Sequence, residues 1–135
     1  MMDGQQIIAE ARRIMRGLRV AGQRDCLFDV AQLVAAISGR DIFGGLIVVY
    51  DSEAEAMAIA EAQGGLVAAT GAALTAAGMR AVDVAAPGDV GLVRAPESEC
   101  GAVYAVSLGR GSWVSRGLNG PALFRGEPLG VWTWA

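Results

Sequence analysis

The order of two hydropathy patterns constrains this chain most. Up to Pro87 the apolar residues recur every three to four positions, whereas beyond it they form short β-prone runs broken by Gly, Pro and Asn. The first pattern belongs to helices with one buried face, the second to short strands. Helices that precede strands, instead of alternating with them, point to an α+β fold with an antiparallel sheet. The length of 135 residues suits one domain spanning 1–135.

Ile7, Ile8, Ala11, Ile14, Met15 and Leu18 make an apolar stripe, with Arg12, Arg13, Arg16 and Arg19 mostly opposite it. This spacing predicts an amphipathic helix over about Gln5–Leu18. Residues 1–21 stand as a candidate appended packing or docking element. Asp25 is placed to cap a second helix, Cys26–Ser38, which Gly39 closes. Ser52 and Glu55 fit a capping box ahead of a third helix, Glu53–Gln63. A fourth is expected over Leu66–Ala77; Gly71 inside it costs about 1 kcal/mol relative to Ala, which close helix packing would explain. Strands are expected at Leu46–Tyr50, Val90–Arg94, Ala102–Leu108, Ser112–Arg116, Ala122–Phe124 and Val131–Trp134, with a hairpin turn at Gly109-Arg110-Gly111.

Composition narrows the function. Hydrophobic residues make up 53% of the chain and aromatics only 6%, so the core should be packed from small side chains. The net charge of −3 gives no basic face for nucleic acid. The N-terminus has no continuous apolar signal region, and no uncharged window of about 18 residues suits a membrane span. Gly109-Arg110-Gly111 is too short for a phosphate loop, and no Lys-Ser/Thr follows Gly44-Gly45. Cys26 and Cys100 lie far apart and no histidine accompanies them, so no zinc site is expected. No cofactor is expected either. Arg24, Arg40 and Arg116 read as surface or ion-pairing groups. Trp113, Trp132 and Trp134 admit two readings: packing in the strand half, or aromatic anchors at a protein interface. Alternation puts Trp132 and Trp134 on one face of the last strand.

Cys26 is the one residue placed for covalent chemistry. It opens a helix, where the dipole and free N–H groups favour a thiolate. A nucleophilic thiol also needs a base that later returns a proton to the leaving group, normally His. The chain has none. Carboxylates, with ordinary pKa values near 4, are poor substitutes.

The run Gly22-Gln23-Arg24-Asp25-Cys26-Leu27-Phe28, continuing to Ser38-Gly39-Arg40-Asp41, resembles the Asp-Cys helix start of NlpC-type cell-wall peptidases, which are papain-like. The chain resembles still more closely a small phage-encoded family of unknown function found among tail genes. Tyr50-Asp51-Ser52-Glu53, Gly88-Asp89-Val90 and the closing Val131-Trp132-Thr133-Trp134 follow that family's order. The resemblance covers about Arg24 to Ala135. It implies a degenerate NlpC-like domain with Cys26, preceded by Asp25, at the nucleophile position. It puts the lost catalytic His at about Val103, with Gly101, Ala102 or Tyr104 as the slipped alternatives. A phenol with an ordinary pKa near 10 is a poor base. The same likeness would bring Cys100 within reach of Cys26, so a disulfide between them is conceivable.

Three functions follow as expectations. One is a structural component of a phage tail or tail tip, made in the host cytoplasm and bound to other tail proteins, with at most transient cell-wall contact. The second is a tail-associated peptidoglycan cysteine peptidase or amidase with an unusual or partner-supplied base. The third is an assembly factor absent from the finished particle.

Overall fold

A computed structural model describes residues 3–20, 25–42, 52–98 and 101–135. Four helices come first: α1 (Gly4–Ile14), α2 (Cys26–Ser38), α3 (Glu53–Ala62) and α4 (Leu66–Ala76). Six strands follow: β1 (Met79–Ala81), β2 (Val90–Arg94), β3 (Ala102–Gly109), β4 (Ser112–Gly117), β5 (Gly120–Arg125) and β6 (Pro128–Trp134). The expected strand at Leu46–Tyr50 lies outside the described residues.

Local chemistry sets the helix ends. At α1 the Gln6 N–H donates to the Asp3 carboxylate (3.0 Å), and the Asp3 N–H donates back to the Gln6 side chain (2.9 Å). The helix stops at Ile14, a turn short of the expected Leu18. Gly17 takes φ 71°, and the chain turns out so that Leu18 bridges to Asn119. At α2 the Asp25 carboxylate accepts the Phe28 N–H (3.0 Å). Gly39 closes the helix with φ 71° and donates its N–H to the Ala35 carbonyl (2.9 Å). The Ser52 hydroxyl accepts the Glu55 N–H (3.1 Å) at the start of α3.

The sheet is antiparallel throughout, in the order β1-β6-β2-β3-β4-β5. Only Gly126 and Glu127 join β5 to β6. In a flat sheet those strands would stand four spacings, or about 19 Å, apart. Three Cα steps span at most about 11 Å. The sheet must therefore roll up, and contacts across it agree: the Arg94 N–H donates to the Glu127 carbonyl (3.0 Å), and a Cβ on Gly126 would lie 2.7 Å from Val93.

Rolling gives the sheet two unlike faces. Val90, Leu92, Ala102, Val106, Val114 and Trp132 share one cluster with Ile7, Ala11, Val30, Leu33, Val34 and Leu74 of the helices. The concave face holds a smaller cluster of Val93, Ala105, Trp113 and Val131, with Phe124 against it. Trp113 fits there because β2 offers Gly91 opposite: a Cβ at Gly91 would stand 2.4 Å from the indole. In the helical layer α4 covers β1 and β6, α2 covers β3 and β4, and α1 packs on α2, β3 and β5. Ile7, Ala11 and Met15 are fully buried, so the apolar stripe at the N-terminus packs into the core. Gly71 of α4 faces the Trp132 ring, with room left for a methyl group (3.7 Å); close packing between helices is not its reason. Among the described residues no single helix is long and apolar enough to cross a membrane; α3 and α4 pass that test only as a pair bent by 75°.

Candidate functional site

The start of α2 is where sequence placed the chemistry. Cys26 is the first residue of α2 and is half-buried. Asp25, only 3% exposed, uses its carboxylate as the cap. Cys100 lies outside the described residues, and so does any pairing between the two cysteines. Arg24 and Gly44-Gly45 lie outside them as well.

One turn into α2, Asp29 is buried opposite Arg116 of β4, with Oδ2 3.3 Å from Nε and the two side chains 4% and 0% exposed. The Nε–H is not aligned well enough for a hydrogen bond to that oxygen, so the attraction is mainly Coulombic. The Arg116 Nη2 donates to the carbonyls of Arg16 (3.0 Å) and Gly17 (2.5 Å). Arg116 thus ties α2, β4 and the end of α1 together. Arg40 stacks over Trp134, 4.1 Å from the ring centre.

Strand alternation fixes which way the positions weighed for a histidine point. Val103 stands opposite Val93, which belongs to the concave cluster, so Val103 points away from α2. Its neighbours Ala102 and Tyr104 face the helices and join their cluster. Of the weighed positions, Tyr104 carries a polar group on that side, and its hydroxyl lies 2.7 Å from Thr70 Oγ1 of α4. Leu27, Ile59, Leu66, Leu74, Thr70 and Tyr104 line a small open groove between α2, α3, α4 and β3. Its wall is otherwise mostly alanine, with Gln63 as the remaining polar group.

The tryptophans pack. Trp113 is 1% and Trp132 5% exposed, so neither is available as an interface anchor. The Trp113 Nε1–H donates to the Gly126 carbonyl (3.2 Å). Trp134 is half-buried beneath Arg40 and does not form an exposed pair with Trp132.

Sequence reasoning missed Asp29 and Thr70. Asp29 carried a signal, since it lies three and four residues from Cys26 and Leu33 on the apolar side of a helix. A carboxylate there needs a buried partner. Nothing local marked Arg116 as that partner. Among the described residues no three His, Cys, Asp or Glu side chains gather as a metal site would require.

What the arrangement offers is a thiol at a helix N-terminus, an apolar groove beginning at the next residue, and a phenol held by a threonine. No curated protein and no solved structure matches the chain. A family model described as a domain of unknown function, DUF6950, matches residues 5–127, and the chain belongs to that family.

Proposed function

We propose that the chain is a structural or assembly component of a bacteriophage or phage-like tail, built on a degenerate NlpC-like, papain-related domain. One observation carries the loss of catalysis. The Cys26 helix packs on β3, and the polar side chain that β3 turns toward the helices among the positions weighed for a base is Tyr104, bonded to Thr70, and not an imidazole. A thiol can be activated by its helix dipole alone, but the leaving amine still needs an acid. Removing the general base from such a unit commonly costs several orders of magnitude in rate. The tail assignment rests on the order of motifs from Asp25-Cys26 to Val131-Trp132-Thr133-Trp134. Its partners are other tail proteins, and its place is the virion.

Mass spectrometry of purified particles and of tail-assembly intermediates tests the assignment. The chain should appear at fixed stoichiometry in one or both; its absence from both contradicts the reading. The groove that begins at Leu27, beside Cys26, favours the peptidase or amidase as the second reading. Cys26-dependent release of muropeptides in the presence of tail partners would establish it.

A further inference from the structure

We draw no further inference here: the strongest candidate, the exposed apolar patch where Leu18 meets the β4–β5 turn at Leu118, carries no proposal because nothing in the structure shows what covers it.

Discussion

The Arg116 guanidinium lies against the Asp29 carboxylate, Nε to Oδ2 3.3 Å, with both side chains sealed between β4 and α2. Two charges out of water are kept only when each partner remains, because either one alone is an uncompensated buried ion. Arg116→Met should therefore destabilise the fold by about 3–5 kcal/mol. The paired change Asp29→Leu with Arg116→Met should cost less than that single change. Urea denaturation measures both. Arg116→Met should also speed amide exchange around residues 15–19, because Arg116 holds the Arg16 and Gly17 carbonyls.

Two glycines should respond to the same substitution with opposite signs. A Cβ at Gly91 would meet the Trp113 ring at 2.4 Å, inside a cluster with no room to yield. Gly91→Ala should cost about 1–3 kcal/mol or more through overpacking. A Cβ at Gly71 would meet Trp132 at 3.7 Å, an ordinary contact, and α4 would gain a better helix former. Gly71→Ala should stabilise by about 1 kcal/mol. Thermal melts of the two variants, side by side with the wild type, decide both signs.

Tyr104→Phe removes one half of the hydroxyl pair at the floor of the groove and leaves Thr70, 4% exposed, with one partner fewer. A loss of about 1 kcal/mol is expected. A double-mutant cycle with Thr70→Val should show that the two changes are coupled. Purely additive costs would mean that the pair contributes nothing of its own.

Residues with a local chemical role were legible in sequence. Asp25 and Gly39 set both ends of α2, and the Gly109-Arg110-Gly111 turn set the β3–β4 hairpin. What the sequence hid was long-range. β1 was missed because its three residues carry one buried side chain, Met79, which leaves no alternation to read. The rolled sheet was missed because strand order is not written in any one strand. Trp113 gave no hint that Gly91 would make its room. The resemblance implies a position only to within a residue or two around Val103, and a one-residue slip in a strand moves a side chain to the other face. The start of α2 was therefore legible, whereas its partners on β3 and β4 were set by pairing across the sheet.

The central claim is that the Cys26 helix serves as scaffold and not as catalyst. The direct measurement is muropeptide release from purified peptidoglycan, by the full chain alone and together with the proposed tail partners, with Cys26→Ser run in parallel. Ser is nearly the same shape as Cys, so the substitution tests the thiol chemistry with little change in packing. The account predicts no release above background in either format, and particle assembly unchanged by Cys26→Ser. Release that depends on Cys26, in either format, would contradict it.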